Sequence, residues 1–373
     1  MNQITSIRNG SVVSCLNGKE SDGKLLLPVS GIAEAGADVF VNGVRAMREG
    51  LSFRAEIPVD QKITTVSMTT SNQYGDFTQS LRILWDKASF PRYNFFIDDN
   101  IFFLTDIAKE RPKSLFDHFY LRFLKRMHDT YGAKFTLNLF YRNDHSPFEL
   151  KDFPDTYKAE FEANSDWLRF SWHAYSEFPD RPYQNASAEK LEADIKLLTA
   201  EIFRFAGEKS YIPPIASHWS MIRPEAFPVL RRHGVRVMCG QFINPRTSLT
   251  EKGPAEYICD IGYFRNLNDC LHLAEKQLLY DFQSSIMFLH SLLICNYFKP
   301  EEIVGIIDRA AASPDYNNLL SLETHEQYSF PYYFNYLPDH LDRIEASIRR
   351  ATELGFKPVF FAEGLLGNTA WGD

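Results

Sequence analysis

Four places along this chain set an aspartate or a histidine directly after a run of residues that reads as a β-strand. Asp98-Asp99 follows the run 93–97, His173 follows 167–172, His218 follows 212–216, and His325 follows 319–323. Glu177 stands four residues beyond His173. Carboxylates and imidazoles are ligands for divalent cations and are also the groups that most often move protons in hydrolysis. Each has an ordinary explanation alone: an Asp pair after a strand is a turn or a helix cap, and a lone histidine at a strand end is a hydrogen-bonded rim residue. Their common placement after strands points to one site. His118, His128, His233, His272 and His340 fall in or near helical patterns and are read as structural, while His145 sits in a loop and His290 ends an apolar run.

Groups so spread need a scaffold, and the chain has two grammars. Up to residue 88 it offers short strands at 12–16, 25–29, 37–41, 52–57, 63–70 and 78–85. Turn signals separate them: Asn17-Gly18, Asp22-Gly23, Asn42-Gly43 and Tyr74-Gly75-Asp76. This predicts an all-β, immunoglobulin-like sandwich over 1–88, with residues 86–91 as a linker. From residue 89 to 373 the rhythm becomes strand, helix, glycine, strand. Ser114 caps a helix with Leu115, Phe119, Phe123 and Met127 on one face, closed by Gly132 before a strand at 134–140. Ser187 caps a second with the stripe Leu191, Ile195, Leu198, Ile202 and Phe205, closed by Gly207 before a strand at 211–216. Helices at 224–234, 300–312 and 338–354 are followed by strands at 235–239, 319–322 and 357–362. About seven such units predict an α/β domain, a (β/α) barrel, in which chemistry collects at the C-terminal ends of the strands. The four sites fall there.

The bulk numbers exclude some partners. A net charge of -8 without a basic cluster argues against nucleic acid. The most apolar run, 286–295, is broken by His290 and Ser291, so no membrane span is expected. The N-terminus lacks a basic region followed by an apolar stretch. Five cysteines without CxxC spacing are expected to be free thiols, which favours the cytoplasm. With 31 Phe and 18 Tyr, the chain has rings enough for a core and a surplus for a sugar-binding groove.

Three motifs carry a family resemblance. Phe96-Ile97-Asp98-Asp99-Asn100, Ser171-Trp172-His173-Ala174-Tyr175-Ser176-Glu177-Phe178-Pro179 and Leu322-Glu323-Thr324-His325 resemble, in order and spacing, those of the polysaccharide deacetylases of the NodB-homology type. The resemblance covers 92–373. It implies one divalent metal ion, with Asp98 as general base, Asp99 and His173 as metal ligands and His325 as general acid. Glu177 occupies the position of the family's second histidine, Asn100 replaces a glycine, and 212–219 lacks the usual Arg-Pro-Pro motif. The third ligand is therefore open between Glu177 and His218. Zinc is the expected ion, with manganese, cobalt or nickel as alternatives. The implied activity is removal of an acyl group, foremost N-acetyl, from an amino sugar of a surface polysaccharide or its precursor, as in O-antigen biosynthesis. Trp172, Tyr175, Trp219 and Tyr328 are the rings near enough to stack on that sugar. Two other readings stand beside it: an inactive carbohydrate-binding protein, and a metal-dependent hydrolase of another amide. For the sandwich, a structural role, a glycan contact and a homo-oligomer interface are all open.

Overall fold

Lys24–Ile32 and Ser52–Val59 bury every second residue, the alternation that turns one face of a strand to a core. They pair antiparallel in one sheet with Gln3–Ile4, Lys19–Ser21 and Met47–Glu49. A second sheet holds Val12–Val13, Gly75–Trp85, Ile63–Asn72, Asp38–Val41 and Val44–Arg45. Leu25, Leu27, Val29, Ile57, Val66, Met68 and Trp85 fill a shared core. Asn42 and Gly43 both take positive φ, 46° and 79°, as a two-residue hairpin turn requires. The computed structural model describes residues 2–73, 75–243 and 258–372, so Tyr74 of the expected turn at 74–76 lies outside the described residues.

The stretch 86–91 is not a loose linker. Arg92 is fully buried and donates to Asp86 Oδ2 at 2.9 Å, to Phe90 O at 3.0 Å and to Leu366 O at 2.9 Å. A buried guanidinium needs that pairing. From the far end of the chain, Asn368 donates to Asp86 Oδ1 and Trp371 Nε1 donates to Trp85 O. The last residues thus pin the junction.

Beyond it the fold is mixed α/β. The strands that matter to the site are β1 (Arg92–Asn100), β2 (Phe135–Phe140), β3 (Leu168–Ala174), β4 (Val237–Gly240), β5 (Ile286–His290) and β6 (Leu319–His325). Strand β1 is buried at every position, the pattern of a parallel strand covered on both faces. It pairs in parallel with β2 on one side and β6 on the other, and β2 pairs with β3. Strands β4 and β5 form a second parallel pair, extended antiparallel by Leu278–Asp281. The expected strand 211–216 makes only single links, Ile212 N to Phe170 O at 3.0 Å and Cys239 N to Ile215 O at 2.6 Å. Pro213 and Pro214 have no N–H with which to build a ladder. The expected strand 357–362 reduces to Lys357–Pro358 beside the start of β1.

The helices are α1 (Phe102–Glu110), α2 (Phe119–Tyr131), α3 (Ala188–Phe205), α4 (Leu267–Lys276), α5 (Pro300–Ala312) and α6 (His340–Glu353), with shorter turns between. Ser187 caps α3 and its five-residue stripe is buried. Ser114 caps a short turn, Leu115–Asp117, rather than α2 itself. No helix among the described residues is long and apolar enough to cross a membrane.

Candidate functional site

Consecutive residues of a regular strand point to opposite faces, yet Asp98 and Asp99 both line one pocket at the end of β1. A bulge explains it. The β1–β2 register shifts between Ile97 and Asn100, and Asp99 takes a φ of 62°, a left-handed conformation that aspartate tolerates better than most residues. Asn100 clamps the bulge, donating to Ile97 O at 2.5 Å and to Asn138 O at 3.1 Å.

A second register shift, between Leu139 and Phe140 against β3, leaves His173 outside the ladder. His218 arrives from the turn after 211–216. Three atoms then form a nearly equilateral triangle. Asp99 Oδ1 is 3.2 Å from His173 Nε2 and 3.2 Å from His218 Nδ1, and the two nitrogens are 3.2 Å apart. Asp99 Oδ1 is buried without a hydrogen-bond partner. A tetrahedral centre with bonds of about 2.0 Å has ligand–ligand edges of about 3.3 Å, so this orphaned oxygen and the two imidazoles fit one divalent cation. The tautomers agree: His218 Nε2 donates to Glu177 O at 3.0 Å, which leaves the neutral ring's Nδ1 lone pair for the triangle. Phe140 packs on both rings, with centroids 5.3 and 5.0 Å away.

The electrostatics follow from the packing. Burial works to raise Asp99, but His173 and His218 override it and hold the carboxyl well below its ordinary range. Burial pushes His173 down to about 4 against the pull of Asp99. His218 moves up despite burial, drawn by Asp99 and Glu177.

The facing wall comes from β6. His325 pairs with Asp98 across the β1–β6 ladder, and Asp98, Glu323 and His325 bring ligand atoms within 4.8 Å of one another. Asn138 Nδ2 donates to Asp98 Oδ1 at 2.6 Å, and Ser291 Oγ donates to Glu323 Oε2 at 2.9 Å. Burial pushes Glu323 up to about 8, with help from Asp260 and Asp99 and against the Ser291 bond. Burial, then Glu323 and Asp99, raise Asp98 well above its ordinary value, while Asn138 opposes them. Burial lowers His325. Its Nδ1 lies 2.9 Å from Asn296 Oδ1, an oxygen that can only accept, so the neutral ring keeps its proton there and turns Nε2 out as an acceptor. The expected role of His325 as proton donor would need a second proton, which burial disfavours.

The expected residues do not all converge. Asp98, Asp99, His173, His218, His325, Trp219 and Tyr328 line the pocket. Glu177 lines it too, but its carboxylate is turned to His145, with Oε2 and Nε2 2.5 Å apart, and it stays out of the triangle. Trp172 is buried in the core against Tyr183 and reaches no ligand. Tyr175 stacks on Tyr141, away from the pocket's walls. Glu323, Asp260, Tyr297 and Tyr333 are among the other lining residues and were not singled out from the sequence. Glu323 was legible there, since Glu323 and His325 are two apart on one strand and share a face.

No family model and no curated protein matches the chain. Among solved structures, it aligns with a 4-alpha-glucanotransferase from Thermococcus litoralis at 12% identity and a TM-score of 0.41, over 70% of this chain. The chain spans 38% of that protein's length. It aligns with a "putative alpha-galactosidase" of Bacteroides fragilis at 9% identity and a TM-score of 0.28, over 93% of this chain and 78% of the other. The three matches named carry glucanotransferase and alpha-galactosidase titles and none a deacetylase's. The expected removal of an N-acetyl group, the assignment to linear amide bonds and the link to O-antigen biosynthesis are withdrawn, and likenesses this distant carry no activity to this chain.

Proposed function

We propose that this chain cleaves a glycosidic bond of a carbohydrate, at a pocket that joins a cation site to a pair of buried carboxyl groups. The observation that carries the reading is the pair itself: Asp98 and Glu323 bring oxygens within 4.8 Å of each other, under a mouth lined by Trp219, Tyr297, Tyr328 and Tyr333. Cleavage between sugars needs one carboxylic acid to protonate the leaving oxygen and one carboxylate to meet the charge at the anomeric carbon. Carboxyl separations of about 5–5.5 Å go with retention of configuration and about 6.5–9.5 Å with inversion, and an oxygen separation of at most 4.8 Å lies on the retaining side.

Two adjacent buried carboxyls hold a proton between them. Asn138 donates to Asp98 and Ser291 to Glu323, and burial raises both carboxyls; in this reading Glu323 carries the shared proton. In the first step Asp98 bonds to the anomeric carbon as the glycosidic C–O bond breaks, and the proton of Glu323 passes to the leaving oxygen. In the second, the Glu323 carboxylate takes a proton from water, whose oxygen displaces Asp98. His325 offers Nε2 as acceptor for a sugar hydroxyl.

Asp99, His173 and His218 would hold the divalent cation, zinc by their donor set, with manganese, cobalt or nickel as alternatives. When bound it supplies a Lewis acid for substrate hydroxyls. In this reading the strands β1 to β6 and the extended link 211–216 close a seven-membered barrel over 89–373, with 1–88 as an accessory β-sandwich. The test is a panel of 4-nitrophenyl glycosides and polysaccharides offered to the metal-loaded protein. Reducing ends should appear, with Glu323→Gln and Asp98→Asn inactive. Acetate without reducing ends, or no cleavage across the panel, would overturn the reading.

A further inference from the structure

Beside the carboxyl pocket lies a second cavity, of about 730 Å³, within the range of small-molecule sites. Tyr333 lines both cavities, and the partition between them is the His145–Glu177 pair, with His145 on the far side and Glu177 on the near side. The far cavity is an aromatic shelf. Tyr332 stacks on Phe102 with centroids 5.4 Å apart and an interplanar angle of 26°, and Tyr333 packs on Phe334 at 4.5 Å. Tyr332 and Phe334 nevertheless stand 60% and 73% exposed. The shelf is fixed in place, since the Tyr332 hydroxyl donates to Asp106 Oδ2 at 3.0 Å. Asp106, Lys109 and Asn143 set polar groups around it.

Flat rings rimmed by a carboxylate, an amide and an ammonium match one ligand chemistry closely. A pyranose presents C–H faces to aromatic rings and hydroxyls at its edge to charged and amide groups. Asp106 Oδ2 already accepts from Tyr332, so Lys109, exposed at the rim, is the charged group open to a sugar hydroxyl. We propose that this cavity is a second sugar subsite, which binds a non-reacting pyranose of the same oligosaccharide whose bond is cleaved between Asp98 and Glu323. The inference rests on the carbohydrate reading of the pocket. The subsite makes binding depend on chain length, because only a longer chain reaches past Tyr333.

The experiment is calorimetric titration of the full chain with cellotetraose, maltotetraose, mannotetraose and chitotetraose, and with their monosaccharides. At least one tetraose should bind about tenfold tighter than its monosaccharide. Phe334→Ala should remove most of that gain and leave monosaccharide affinity unchanged. Because Phe334 is exposed, its truncation spares the core, and Tyr332→Phe offers a milder second variant that frees Asp106 while keeping the ring. A gain that survives in Phe334→Ala, equal losses for short and long sugars, or no gain with any tetraose would overturn the subsite. A gain that depends on Phe334 in a protein that cleaves no glycoside would leave the subsite standing and sink the cleavage reading. Cleavage with no dependence on chain length would do the reverse.

Discussion

His173 Nε2 and His218 Nδ1 stand 3.2 Å apart, each at the same distance from one carboxylate oxygen of Asp99. Three such atoms this close share a proton or a cation. A proton on His218 is one answer, in line with its upward shift; a divalent cation satisfies all three atoms at once.

The first prediction is therefore about ligands. Asp99→Ala and His218→Ala should each lower zinc or manganese affinity by about 100-fold or more. Glu177→Ala should change it by no more than about tenfold, since that carboxylate faces His145 and only its backbone oxygen touches His218. Metal content after dialysis against a weak chelator reads the difference. Equal loss in Glu177→Ala would restore Glu177 as a ligand.

The second concerns Glu326. Helix α1 begins at Ile101 without a local side-chain cap. Its first N–H groups, of Ile101, Phe102 and Phe103, donate instead to the buried carboxylate of Glu326 at 2.7, 2.8 and 2.6 Å. Removing an acceptor from three buried donors costs each its desolvation, so Glu326→Ala should destabilise the protein by about 3 kcal/mol or more. Glu326→Gln, which keeps one acceptor oxygen, should cost less. Urea unfolding midpoints give both numbers, and an unchanged midpoint for the alanine variant would refute the cap.

That helix also marks how far the sequence could be read. Helices whose stops and starts are local, such as α3 between Ser187 and Gly207, are legible because cap and stripe are near in sequence. The start of α1 is not, because its cap lies 225 residues away. The same limit governs the site. Asp98, Asp99, His173 and His325 were visible as strand-end residues, but two bulges decide which of them face the pocket. Glu177 stands as a candidate beside His218 because it occupies the position of the family's second histidine. The residues after Ala174 form a loop, and that loop turns the carboxylate to His145. The pinning of the linker 86–91 was hidden for a related reason: Arg92 and Asp86 are held by residues 366 and 368, at the far end of the chain.

A third prediction tests that lock. Arg92→Ala leaves Asp86 a buried carboxylate without its guanidinium, and should cost about 3–5 kcal/mol. Arg92→Lys should recover little, because one ammonium cannot serve Asp86, Phe90 O and Leu366 O together. Thermal unfolding of the two variants decides, and a lysine variant as stable as the wild type would show that the charge alone matters.

The last prediction is a pH dependence. His340 is fully buried, with Ser329 Oγ 2.6 Å from Nδ1 and Thr324 Oγ1 2.7 Å from Nε2. One nitrogen donates and the other accepts, which is the pattern of a neutral ring. Burial, then the neighbouring His325 and Arg343, push its pKa down to about 3. In the unfolded chain the same ring takes up a proton near 6.5. Its contribution is thus complete above that value and is lost as pH falls from about 6.5 towards 3, at up to about 1.4 kcal/mol per pH unit. His173 and His290, each pushed to about 4 by burial, act in the same direction, so the variant must be compared with the wild type. Between pH 6 and 5, where the other groups titrate alike in both chains, His340→Asn should lose about 1 kcal/mol less stability than the parent chain. Urea midpoints at those two pH values measure it. Parallel losses would mean that His340 is charged in the folded protein, and that Ser329 and Thr324 both accept from it.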